Sequence, residues 1–369
     1  ACGLSDTSVS AYHLGNPGLV RTRATAAGQS QLAVVLGANP RVQGRAAETT
    51  LNEVISLNAS LIEGPQEVFG HRADYLLANP NGSTLNGGSF INTTRAGFLV
   101  GTPEIEQQQL KYLDTQGASG SLQVLGGGQS NRDGALDLIA PRIDSQGLLN
   151  AGTDLGITAG RNRIDRSTGD IVQHLPGTPS SIDASLFGAM QAGRIRVVST
   201  AEGAGVRVQA PRVEATEGVQ IQSAGNLQVS GTASSPALLH SAQGTLKLTA
   251  SDDLTLAALE AKAQHIEARA GKKLTLDAQA LERVTRDTDN WNKQFLFVTR
   301  ETYSRNTTTT DVKQQGTRLQ ADDSLVLQSG GDLRMTAAQL QAGNGMRIDR
   351  GRNLGVLAGI DSQRVEEQI

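Results

Sequence analysis

The chain is short of the residues on which compact enzymes are built. Aromatic side chains make up 3% of its 369 residues, fewer than a globular core and substrate pocket of that size normally use. Cys2 is the only cysteine, which excludes an intramolecular disulfide and a thiolate metal site. Such scarcity suits a chain that stays unfolded while crossing an oxidising compartment, where thiols would pair early. It suits a cytosolic structural protein equally well. The longest apolar runs, such as Leu32 to Leu36, are far too short to span a bilayer. The first residues show no basic-then-apolar leader, so export would require that one had already been removed. Ala1-Cys2-Gly3 has the small neighbours of a lipidation site, although a lone cysteine in such company is commonly incidental. The net charge of −3 leaves no electrostatic footprint for nucleic acid, and the basic residues are scattered rather than blocked.

What is abundant is glycine, 42 residues, and short alternating segments that recur. From about residue 213 these include Val219-Gln220-Ile221, Leu246-Lys247-Leu248, Leu254-Thr255-Leu256 and Leu274-Thr275-Leu276. The series resumes with Leu325-Val326-Leu327, Leu333-Arg334-Met335, Met346-Arg347-Ile348 and Leu354 to Leu357. Alternation of this kind is the period of a half-buried strand. Leu246 to Ile266 and Leu254 to Leu274 are each 20 residues apart, and Leu325 to Met346 and Leu333 to Leu354 are each 21. Two interleaved strands therefore share one period, with Gly, Asn, Asp or Ser between them. A sandwich of short hairpins would show irregular lengths and two-residue Asn-Gly turns. Equal periods in two registers predict a solenoid, a parallel β-helix with an aliphatic interior.

The period breaks over about 284–319. This stretch holds Trp291, Phe295, Phe297 and Tyr303, and then the β-branched run Thr307 to Val312. It reads as a β-hairpin projecting from the shaft or folded along it. Two roles are open: covering a sheet edge or coil end, or offering its aromatics as a contact surface.

The first half is less regular but contains specific words: Ala38-Asn39-Pro40-Arg41-Val42, Leu51-Asn52-Glu53-Val54, Glu67-Val68-Phe69-Gly70, Ala78-Asn79-Pro80-Asn81-Gly82, Ser89-Phe90-Ile91-Asn92-Thr93 and Val100-Gly101-Thr102-Pro103. Their order resembles the secretion domain of two-partner-secretion exoproteins of Gram-negative bacteria, the family of filamentous haemagglutinins, secreted haemolysins and contact-dependent inhibition proteins. The resemblance covers roughly residues 3–210, and the later repeats resemble the shaft of the same exoproteins.

It implies an all-β, right-handed parallel β-helix, here with N-terminal capping strands and, from the broken period, the projecting hairpin. The expected domains are a secretion domain over 1–212 and haemagglutinin-type repeats over 213–369. It also implies a cleaved signal, unfolded passage through the periplasm, and folding outside the cell, so that the product is secreted or displayed on the surface. The implied partner is an outer-membrane barrel transporter with periplasmic domains. A host or neighbouring-cell surface is a further expected partner, and a monomer is expected. Asn39, Pro40, Asn79, Pro80, Asn81 and Gly82 carry the family motif. As residue types they suit turns, since Asn caps its own backbone, Pro fixes φ and Gly supplies a left-handed corner. Direct contact with the transporter is the other reading of the same residues.

The chain departs from the family where Arg41-Val42 follows the first Asn-Pro and Ser83 follows the second motif. Leu85 and Gly88 stand where haemolysin-type members often have two cysteines. Arg21 and Arg23 replace short amides in the first strand region, which puts the local ladder in doubt.

Catalytic equipment is not evident. His13, His71, His174, His240 and His265 have no partner at metal-ligand spacing, and no nucleophile elbow or phosphate loop occurs. No cofactor or metal is expected. Asp252-Asp253 and Asp322-Asp323 both precede strands and are expected at equivalent corners, suited either to solvent-exposed turns or to weak Ca²⁺ binding. A β-helical polysaccharide-degrading enzyme is the competing class; it needs stacked Asp, Lys and Arg with sugar-holding aromatics, which the spacing does not supply. Within the exoprotein reading the whole protein is an adhesin, haemolysin or cytolysin, or else the delivery stick of a contact-dependent inhibition toxin.

Overall fold

The structure, a computed structural model, describes residues 3–40, 47–176, 182–295 and 298–368, with the backbone alone for 292, 294, 295 and 298–301. The expected Arg41-Val42 departure and Cys2 lie outside the described residues.

Successive segments wind into coils of three short strands, each pairing in parallel with its counterparts one coil away. The first face runs through residues 4–9, 49–54, 73–78, 93–99 and 135–140 and continues to 345–350. The second face is a 12-stranded sheet from His13–Leu14 to Leu354–Leu357. The third face begins at Leu19–Arg23 and ends at Gln339–Ala342. Faces one and three merge into a single 19-stranded sheet, because strands such as Met190–Ser199 and Leu259–Ala270 run unbroken round the corner between them.

The residues whose spacing set the period are the ones that pair. Leu246 lies beside Ile266, Leu254 beside Leu274, Leu325 beside Met346 and Leu333 beside Leu354. Alternation sends one set of side chains inward. Leu246, Leu248, Ala268, Leu325 and Leu327 are all fully buried in one continuous core. Each inward leucine contributes roughly 1.5–3 kcal/mol of burial free energy, which is how a chain so poor in aromatics is held together. Three of those aromatics, Tyr75, Phe90 and Phe98, meet inside the early coils with ring centroids 5.0–6.5 Å apart.

Two excursions over residues 102–114 and 162–174 form a four-stranded antiparallel sheet outside the helix, which the sequence reading did not anticipate. Its Leu113 and Ile164 cover Leu51, Leu76, Ala78, Leu99 and Ile139, which point outward from the first face. Arg166 reaches Asp74 of that face at 2.6 Å, and Arg163 grips Glu104 across the side sheet at 2.6 and 2.8 Å. A short antiparallel pair, Gly28–Gln29 with Val35–Leu36, lies near the N-terminal end.

The break in the repeat is an antiparallel hairpin, Gln279–Phe295 with Val298–Gln315. Its bounds correct the expected 284–319: it starts earlier, and Arg318–Ser329 already belongs to the coils. Ser362–Gln368 adds a third strand along residues 306–312, so the projection is a sheet of three. The acidic pairs are corrected too. Asp253 precedes a second-face strand, whereas Asp322 and Asp323 lie where Arg318–Ser329 turns from the third face to the first. They occupy different corners and do not stack.

Candidate functional site

The Asn79-Pro80-Asn81-Gly82 segment forms the corner between the first and second faces of an early coil. Asn79 is completely buried, and its carboxamide works in two directions. Its Oδ1 accepts from the Asn81 backbone N–H at 2.9 Å, closing an Asx turn. Its Nδ2 donates to Asn58 O at 2.9 Å and to Ser60 Oγ at 2.8 Å, one coil back. On the other side the Asn79 N–H reaches Leu99 O, and Pro80 O accepts from Ser119 and Gly120, all one coil forward. This corner therefore ties three coils together.

Asn81, half-buried, donates to Ser56 O at 2.6 Å. It thereby holds the loop that turns Ile55 and Leu57 to solvent, 69% and 91% exposed. Gly82 closes the turn on Asn79 O at 3.2 Å. Its φ of +110° belongs to the region that favours glycine, and a Cβ there would sit 2.9 Å from Ser121 O.

Asn92 repeats the device where the same coil passes from its third face to the first face of the next. At φ 60° it donates to Val68 O at 2.7 Å and Gly70 O at 2.9 Å. Asn39 does something similar nearer the N-terminus, donating its Nδ2 to Thr22 O at 2.8 Å and its N–H to Ala24 O at 2.9 Å. Asn39 is half-buried and Pro40 exposed. The two motif segments sit on separate parts of the early coils and do not converge on one pocket.

Glu67 has a role that the sequence reading missed. It is 4% exposed, and it accepts from Ser30 Oγ at 2.6 Å and from the backbone N–H groups of Gln31 and Leu32 at 3.0 and 2.9 Å. Burial alone would raise its pKa, yet these hydrogen bonds outweigh it and hold the carboxyl below its ordinary value. One carboxylate thus pins the loop after the first coil onto the second.

On the hairpin, Trp291 and Tyr303 face each other across the strands and stack at 5.6 Å with an interplanar angle of 11°. Trp291 is 43% exposed. The Phe295 and Phe297 side chains lie outside the described residues. Among the described residues no group of three or more His, Cys, Asp or Glu could hold a metal ion.

A long parallel β-helix whose early corners are stapled by asparagine side chains, Asn79 fully buried among them, defines a folding scaffold. Residues 3–229 match the TPS secretion domain family, and residues 278–368 match the hemagglutinin repeat family. The chain belongs to the two-partner-secretion family, as the secretion domain and first β-helical repeats of an exoprotein that is secreted or displayed at the cell surface.

It is 34% identical to a hemolysin of Proteus mirabilis over 96% of this chain and 24% of that protein. A hemolysin of Serratia marcescens is 32% identical over 99% of this chain and 24% of its own length. A tRNA nuclease CdiA of Yersinia mollaretii is 34% identical over 62% of this chain and 8% of its own. The chain thus spans about a quarter of the hemolysins it matches. The crystal structure of the filamentous hemagglutinin secretion domain superposes with a TM-score of 0.60, covering 97% of this chain and 91% of that one at 19% identity. Two-partner secretion implies an outer-membrane transporter as partner.

Proposed function

We propose that Asn79-Pro80-Asn81-Gly82, together with Asn39-Pro40, serves the chain twice. In the unfolded chain these residues are read by periplasmic domains of the transporter. In the folded chain they close the corners from which the β-helix grows outside the cell. The observation that carries this reading is the burial of Asn79. A side chain with no exposed surface is reachable by a partner only before the coils form. Recognition and folding are then successive uses of one segment, and coil growth outside the cell favours onward transit.

In this reading residues 1–212 form the export and nucleation unit and 213–369 the beginning of a shaft, with the molecule acting as a monomer and without nucleic acid. The whole protein is of the haemolysin type rather than a growth-inhibition stick, because the hemolysin matches extend over nearly the entire chain and the CdiA match over 62% of it. The hairpin offers the Trp291–Tyr303 stack to a host or neighbouring-cell surface, a role favoured by the exposure of Trp291. The chain itself performs no catalysis.

The test is a pull-down with the transporter's periplasmic domains, comparing chain freshly diluted from denaturant with chain already folded. Capture of the diluted chain and not of the folded one is expected. Equal capture of both overturns the reading.

A further inference from the structure

Several polar side chains turn into the otherwise apolar interior of the N-terminal coils, and their unpaired donors outnumber the unpaired acceptors. Along residues 19–23, Leu19 packs against the core, so alternation turns Arg21 and Arg23 inward with it. Arg23 is 7% exposed, yet neither of its terminal nitrogens has a hydrogen-bond partner, and neither does Nε of Arg21.

Asn52 shares the inward side of residues 49–54 with Val54. It is fully buried, and both atoms of its carboxamide are unpaired. Gln66, opposite Leu19 in register, accepts from the Tyr12 hydroxyl at 3.0 Å and leaves its own Nε2 unpaired. These side chains present five unpaired nitrogens against two unpaired oxygens that could accept, the Asn52 carbonyl and the buried Tyr75 hydroxyl beside Arg21 and Gln66.

The nearby carboxylates do not answer them. Glu53 alternates to the outer side between Asn52 and Val54. Asp6 lies opposite Leu51, which also faces outward. Glu67 is engaged with Ser30, Gln31 and Leu32. Buried guanidinium groups are ordinarily paired, because an uncompensated charge out of water is costly.

We propose that the N-terminal interior of the β-helix binds a small inorganic anion, held by Arg21 and Arg23 with the amides of Asn52 and Gln66 as further donors. Both charges come from one strand of the first coil, Leu19–Arg23. The anion joins strand 19–23 of the first coil to strands 49–54 and 65–70 of the second. It therefore stabilises the folded chain in proportion to its saturation.

The experiment titrates the folded chain with phosphate, and separately with bromide, at constant ionic strength, and follows thermal unfolding. A saturable rise in Tm is expected, with an anomalous bromide peak between Arg21 and Arg23 in crystals soaked in bromide. Arg23→Gln should weaken phosphate binding by about tenfold, while Arg132→Gln, an exposed arginine elsewhere, should leave it unchanged. If Arg23→Gln does not fold, the wild-type titration and the bromide map decide alone. A Tm independent of both anions at constant ionic strength, or ordered water only at these donors, overturns the proposal.

Discussion

Asn79 donates its side-chain amide to Ser60 Oγ at 2.8 Å, across the gap between two successive coils and with no access to solvent. The same side chain accepts from Asn81 and donates to Asn58 O, so removing it leaves the buried Ser60 hydroxyl and two less buried backbone groups unmatched. An unsatisfied buried group costs about 1–3 kcal/mol. Asn79→Ala should therefore destabilise the chain by roughly 2–3 kcal/mol, read as a lower urea midpoint. Gly82→Ala should also destabilise, by at least about 1 kcal/mol, because it imposes a Cβ where φ is +110°. A midpoint unchanged in both variants would show that the corner follows the coils rather than holding them.

Glu67 makes the N-terminal loop sensitive to acid. Its folded pKa lies below the ordinary 4.5, so its contribution to stability is complete above that value and is lost as the pH falls through the folded pKa. Glu67→Gln should cost about 1.5–3 kcal/mol at pH 7, the range for hydrogen bonds to charged groups. The gap between wild type and variant should narrow as the carboxylate is protonated. Urea melts of both proteins between neutral pH and pH 3 check this; a gap constant over that range would contradict it.

The hairpin should be dispensable for the shaft. Residues 274–277 and 318–321 are already paired with neighbouring coils on both sides, and Gln279 to Trp291 contribute no buried side chain. Replacing residues 280–314 by a short glycine linker should leave the β-sheet circular dichroism and change Tm by no more than about 3 °C. The same deletion should abolish binding to target cells or glycans if the Trp291–Tyr303 stack is a contact surface. Loss of the fold would instead make the hairpin a structural brace.

The later coils were legible because their inward leucines keep one period, and Leu254 pairs with Leu274 as the spacing required. The side sheet was not, and the reason is local. Its first hairpin turns at Gln107-Gln108, both at positive φ, where an Asn-Gly signal would normally mark a primed turn. Its cover left a trace in Leu76-Leu77-Ala78, Phe98-Leu99-Val100 and Leu138-Ile139-Ala140. Such unbroken apolar runs are the mark of strands buried on both faces. The asparagine corners could be read as turns from residue type, but their reach into neighbouring coils could not. Asn79 and Ser60 are brought together only by winding, as are Glu67 and Ser30.

Export puts the central claim to its most direct test. In cells making the transporter, the extracellular yield of Asn79→Ala and Asn81→Ala should be measured beside their capture by the periplasmic domains from freshly diluted, unfolded chain. If these residues are read before they are folded, capture of the unfolded variants should weaken by about fivefold, near 1 kcal/mol, and secretion should fall with it. Unchanged capture, with variants that still fold, would reduce Asn79 and Asn81 to turn-formers and contradict the account.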